Sequence, residues 1–140
     1  MMPDYEGCTY VIFGATGNLS REKLIPALYH LDLAGQLCAD TRIVASGRRD
    51  WSDGQLAEKV RDWIEKHSRG SLNQTVFQRF VKRLSYFRGD LHDANTWPRL
   101  KKWLAERADL PANIAFYMAI SPAEFAQVVE RLGEQGLLEE

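Results

Sequence analysis

With 140 residues, 45% of them hydrophobic, the chain is long enough for one ordinary globular core and too short for two, so residues 1–140 read as a single domain. Its formal net charge of −1 leaves no basic footprint for nucleic acid and no polybasic signal for a membrane surface. Any anion bound here has to be held by local chemistry.

In chain order, Cys8–Phe13 (CTYVIF) is a short apolar run that stops at Gly14, the pattern of a strand buried on both faces. Leu19–Leu33 follows with Leu24, Ala27, Leu28 and Leu31 at helical spacing, and Gly35 is placed to cap it. Pro26 is at odds with an unbroken helix, because it lacks an N–H and costs about 3 kcal/mol in a helix interior. A kink or a loosened first segment is therefore expected between Asn18 and Ile25. Arg42–Ser46 is a second strand ending at Gly47, and Gln55–His67 a helix burying Leu56, Val60, Trp63 and Ile64. After a polar break at His67–Asn73, Val76–Leu84 is expected to be helical, and Tyr86–Leu91 is a weaker strand candidate. Thr96–Ala108 is a helix with Pro98 in its first turn and Trp97, Leu100, Trp103 and Leu104 inward. Asn113–Ile120 is a clear strand, and Pro122 opens a last helix through Phe125, Val128, Val129 and Leu132. Strand and helix alternate four times without a tight hairpin, which predicts an α/β, Rossmann-type doubly wound parallel sheet with helices on both faces.

The segment Val11–Ser20 (VIFGATGNLS) runs a buried strand into Gly14 and opens a helix a few residues later, the setting of a dinucleotide fingerprint. Gly14 permits a tight turn with positive φ, and Gly17 removes a side chain where backbone would approach a diphosphate. The amides at the start of the next helix favour phosphate charge. Thr16 and Asn18 can add hydrogen bonds, and Ser20 is small where close packing is needed. The spacing departs from Gly-x-Gly-x-x-Gly, since Ala15 and Thr16 separate the two glycines. The plainer alternative is a strand-to-helix turn without a ligand.

At the end of the second strand, Ser46-Gly47-Arg48-Arg49 puts arginine where an NAD site carries an acidic residue for the ribose hydroxyls. Guanidinium matches the 2′-phosphate of NADP and stacks on adenine. A solvated arginine pair is the alternative.

Cys8 and Cys38 make no disulfide framework, and neither they nor His30, His67 and His92 have metal-ligand spacing. Met1–Gly7 lacks the features of a secretory signal, and no apolar run approaches the roughly 20 residues that span a bilayer. A cytoplasmic protein without nucleic-acid or membrane partners is expected.

Gly14-Ala-Thr-Gly-Asn-Leu-Ser-Arg-Glu-Lys-Leu-Ile-Pro-Ala-Leu-Tyr29 resembles the N-terminal signature of glucose-6-phosphate dehydrogenases. Ile43–Arg48, Phe87–Asp93 and Phe116–Phe125 resemble later segments of that family, in the same order. The resemblance covers Pro26 as well. It implies that the chain is the N-terminal coenzyme part of a longer enzyme. That enzyme would oxidise glucose 6-phosphate to 6-phosphogluconolactone, passing hydride to NADP in the pentose phosphate pathway, and would be a homo-oligomer. Carried over by residue, Gly14, Ala15, Thr16, Gly17, Asn18, Leu19, Ser20 and Arg21 form the coenzyme phosphate loop, and Arg48 grips the 2′-phosphate. Asp90 and Leu91 line the adenine side, Tyr117 touches coenzyme, and Lys23 reaches toward substrate. Asn18 replaces the family's usual Asp, and Glu22 interrupts its basic cluster. The family's catalytic histidine segment has no counterpart in the chain, so no residue here is expected to be catalytic and the chain alone is expected to be inactive. Two other readings compete. One is a stand-alone NADP sensor or short-chain-reductase-like protein, although neither Tyr86 nor Tyr117 has a lysine four residues on. The other is an interaction module whose glycine turn is only architecture.

Overall fold

The computed structural model describes residues 8–67, 72–107, 109–111 and 113–137. Four parallel strands, β1 (Thr9–Phe13), β2 (Arg42–Gly47), β3 (Leu84–Arg88) and β4 (Ile114–Met118), lie in the order β3-β2-β1-β4. The register pairs Val11 with Val44 on one side and with Phe116 on the other. Alternating side chains along each strand feed two apolar layers. Ile12, Ile43, Ala45 and Tyr86 pack under α1 (Ile25–Leu33), α2 (Asp53–His67) and α3 (Gln74–Val81). Val11, Phe13, Val44 and Phe87 pack under α4 (Thr96–Glu106) and α5 (Pro122–Glu134). The doubly wound sheet expected from the alternation is what forms.

Pro26 is accommodated by a π-helical stretch, Ser20–Leu24, in which the Ile25 N–H donates to the Ser20 carbonyl five residues back. The ring then falls in the first turn of α1, where a missing N–H matters least. The loosened segment expected there is thus a π turn. Its extra residue also advances the buried stripe by one position. Ile25, Leu28, Tyr29 and Asp32 face inward, whereas Leu31 is exposed and Ala27 lies on the outer face. The expected stripe of Leu24, Ala27, Leu28 and Leu31 is corrected accordingly.

Side-chain caps set the starts of α2 and α3. Ser52 and Gln55 form a reciprocal capping box, with Gln55 N–H to Ser52 Oγ at 3.1 Å and Ser52 N–H to Gln55 Oε1 at 2.9 Å. They begin α2 at Asp53, two residues earlier than the apolar pattern indicates. Asn73 caps α3 by accepting the Val76 N–H at 3.0 Å. The helix expected to run to Leu84 stops at Val81, because Arg83 turns inward and Leu84 already belongs to β3. Correspondingly, β3 ends at Arg88, and Asp90 and Leu91 lie in the turn beyond it. Ala108, the expected end of α4, lies outside the described residues. Trp103 is only half-buried, and Phe125 and Val129 of α5 are exposed.

The two edges of the sheet differ. Along β3, the Asp53 carboxylate accepts the outward Tyr86 N–H at 2.8 Å, and Arg99 donates to the Arg88 carbonyl at 3.3 Å. Along β4 the side chains are only partly buried, and Tyr117 is exposed. No helix among the described residues is long and apolar enough to cross a membrane.

Candidate functional site

The chain winds outward from β1 to β3, then returns to place β4 on the other side of β1. At such a reversal the loops after neighbouring strands diverge and leave a crevice at the strands' carboxyl ends. Here that crevice is a cavity of about 290 Å³. Gly14, Thr16 and Gly17 enter it from β1, Ser46, Gly47 and Arg48 from β2, and Gly89 to His92 from β3. Ala119, Ile120, Ser121 and Glu124 complete it from the β4–α5 turn.

The bend after β1 depends on Gly14, whose φ is +75°. A Cβ there would run into the Ala119 carbonyl and come within 2.9 Å of the Ile120 side chain. The bend is pinned from both sides: Ala15 N–H donates to Ser46 O at 3.1 Å, and Ala119 N–H to Phe13 O at 3.0 Å. Gly17 N–H closes the turn on Gly14 O at 2.9 Å. Among the described residues, no backbone carbonyl accepts the N–H groups of Asn18, Leu19 or Ser20. These are the orphan donors of a helix start, next to a cavity with no side chain at Gly14 or Gly17. The donor set fits an anionic diphosphate.

Arg48 lines the same cavity from the end of β2, with its side chain exposed. The nearest following carboxylate, Asp50, lies outside the cavity lining and is 3.9 Å from Arg88. Asp90 locks the turn after β3: its carboxylate accepts the His92 N–H at 2.9 Å and its carbonyl accepts Thr96 Oγ1 at 2.7 Å. His92 Nε2 lies 4.0 Å from the Glu124 carboxylate at the far rim. A second, mostly apolar groove of about 320 Å³ adjoins the first through Ala119 and is lined by Leu19, Lys23, Leu24, Ala27, Tyr117 and Met118.

The family described as "Glucose-6-phosphate dehydrogenase, NAD binding domain" matches residues 11–140. The chain belongs to the glucose-6-phosphate dehydrogenase family. It is 35% identical over 130 residues to glucose-6-phosphate 1-dehydrogenase of Rhizobium meliloti, covering 92% of this chain and 26% of that protein. Against the Dickeya dadantii enzyme it is 33% identical over 135 residues, covering 96% and 27%. The crystal structure of the Mycobacterium avium enzyme superimposes with a TM-score of 0.82 at 30% identity, over 96% of this chain and 28% of that one. A glucose-6-phosphate dehydrogenase solved with its substrate glucose 6-phosphate gives the same TM-score at 29% identity, over 100% and 29%. The chain thus spans about a quarter of the length of the dehydrogenases it matches, and the part it spans is their nicotinamide-coenzyme domain.

Within that family frame, most of the residues singled out from sequence fall in two places. Gly14, Thr16, Gly17, Arg48, Asp90 and Leu91 meet in the cavity. Leu19, Lys23 and Tyr117 line the apolar groove instead. Ala15 and Ser20 are fully buried, and the Ser20 hydroxyl has no hydrogen-bond partner among the described residues. Asn18 accepts a hydrogen bond from Arg21 and lines neither cavity nor groove. Sequence reasoning missed Ser46, Gly89, His92 and the Ala119–Glu124 wall. The signal was present in Ser121-Pro122 before an apolar helical run, a helix start at a strand's carboxyl end, and Ser121 does cap α5 through the Ala123 N–H.

Proposed function

We propose that the chain is the NADP-binding part of an enzyme that oxidises glucose 6-phosphate to 6-phosphogluconolactone in the cytoplasm, as a homo-oligomer. One observation carries the coenzyme choice: of the cavity's lining, the end of β2 contributes Arg48 and no acidic residue, while the two acidic residues there, Asp90 and Glu124, come from the turn after β3 and from α5. In this reading Arg48 holds the 2′-phosphate, the amides after Gly17 hold the diphosphate, and Asp90 and Leu91 border the adenine. Tyr117, Leu19 and Met118, which line the apolar groove beyond the bend, would border the nicotinamide end. Bound there, NADP supplies the hydride acceptor. Lys23, on the same groove, offers its ammonium to the sugar phosphate. The residues of this chain bind and orient, and none is assigned to take the proton from the sugar hydroxyl, so the chain by itself does not turn over.

Titrating the full 140-residue chain with NADP and NAD, followed by tryptophan fluorescence, tests this directly. Tighter binding of NADP is expected, and Arg48→Ala should cost NADP about 1.5–3 kcal/mol while leaving NAD nearly unchanged. Equal losses for both coenzymes would remove Arg48 from the role, and no response to either would leave the bend as architecture alone.

A further inference from the structure

The loop that carries Arg48 is held by β3 in an unusual way. Three consecutive carbonyls accept hydrogen bonds from that one strand end: Gly47 O from the Gly89 N–H at 2.8 Å, Arg48 O from Arg88 Nε at 3.3 Å, and Arg49 O from the Tyr86 hydroxyl at 2.7 Å. The loop is thus gripped by its backbone, which leaves both arginine side chains outside the grip.

Tyr86 is the buried anchor of this arrangement. It is 7% exposed, its own N–H is taken by Asp53, and its ring packs on Trp51, 5.7 Å between centroids. Trp51 in turn lies under the Arg49 guanidinium at 5.9 Å. The hydroxyl is held close: a Cβ on Gly47 would sit 3.1 Å from it and 3.1 Å from Thr16 Cγ2. The Tyr86 hydroxyl, the arginine loop and the phosphate-side Thr16 therefore meet around a position where only glycine fits without a shift. Burial raises the phenol's pKa, so the hydroxyl remains a donor throughout the neutral range.

We infer that Tyr86 is a positioning residue for coenzyme selection: by fixing the Arg49 carbonyl it sets where the Arg48 guanidinium is presented, and so the preference for a 2′-phosphorylated coenzyme. This rests on the NADP reading above. A ligand without the 2′-phosphate lacks the charge-assisted contact that this presentation serves, and the glycine bend that serves the diphosphate is pinned by its own bonds to Ser46 and Ala119. Tyr86 acts through Arg48, and its removal is felt only while Arg48 is present.

The test is a double-mutant cycle on the full chain, reading dissociation constants for NADP and NAD. Tyr86→Phe should weaken NADP by about 3- to 10-fold, the effect of one lost hydrogen bond, and leave NAD within about twofold. In an Arg48→Ala background the same substitution should leave NADP binding unchanged. Arg88→Lys keeps the exposed charge but loses the Nε donor to Arg48 O; it should give a smaller loss of the same sign, and it decides the matter should Tyr86→Phe fail to fold. Equal weakening of both coenzymes, or a Tyr86→Phe effect undiminished without Arg48, overturns the assignment. A wild-type chain that holds both coenzymes equally, or neither, overturns the NADP reading itself and this one with it. A wild-type preference that survives Tyr86→Phe and Arg88→Lys intact overturns this one alone.

Discussion

The Arg83 guanidinium grips the Asp32 carboxylate with Nε–Oδ2 at 3.1 Å and Nη2–Oδ1 at 3.2 Å, and neither side chain is more than 4% exposed. Arg83 also donates to the carbonyls of Cys38 and Thr41, so one buried cation ties the end of α1, the loop before β2 and the start of β3. Arg79 reaches the same carboxylate at 2.9 Å from a half-exposed position. Breaking a buried pair by removing one partner strands the other charge. Asp32→Ala is therefore expected to destabilise the chain by about 3–5 kcal/mol. Arg79→Ala should cost about 1 kcal/mol or less, because water screens that pair. Urea unfolding midpoints check this, and similar losses from the two variants would contradict the burial argument.

Gly14 and Gly35 both have positive φ, +75° and +73°, but only Gly14 is crowded. Among the described residues, nothing lies within 4 Å of a Cβ built on Gly35. Gly35→Ala should therefore cost only the backbone term, about 1–2 kcal/mol. Gly14→Ala adds a collision with the Ala119 carbonyl, must displace the β4–α5 turn, and should weaken coenzyme binding as well as stability. Thermal denaturation with and without NADP separates the two. Equal shifts for both variants would show that the bend tolerates a methyl group.

Two phenols are held in their neutral form. Burial raises the pKa of Tyr86, and burial followed by repulsion from Cys8 and Tyr117 raises that of Tyr10. An acid whose folded pKa exceeds its unfolded value, about 10 for tyrosine, favours folding fully below that pH. The contribution is lost as pH rises from there through the folded value. Alkaline titration of phenolate absorbance should show a late-ionising component that Tyr86→Phe reduces, with stability falling over the same range. All tyrosines ionising together near the free-phenol pH would refute it.

The strands and the glycine bend were legible because each rests on local chemistry: TYVIF can bury both faces, and a turn at Gly14 needs a positive φ. Arg48 was legible for the same reason, as the end of a recognisable strand. What escaped was set by contacts distant in sequence. Asp32 is buried because the π turn rotates it inward and Arg83, 51 positions later, meets it. That same arginine is why the apolar run from Val76 does not stay helical to Leu84. The capping box at Ser52 and Gln55 is local and written in the sequence, just ahead of Leu56, the first apolar position of α2. Tyr86 looked like a strand residue with no task, since nothing nearby in sequence reveals that its hydroxyl reaches Arg49, 37 positions earlier.

The unequal flanks of the sheet decide how the fold can be built upon. An incoming strand at β3 would have to dislodge the Asp53 carboxylate and the Arg99 guanidinium from the very backbone groups it needs. Beside β4 the described residues raise no such obstruction, and side chains such as Tyr117 remain to be covered. Among the described residues the open edge is that of β4, on the flank that carries the Lys23 groove. A strand added at that edge would form a wall of the Lys23 groove.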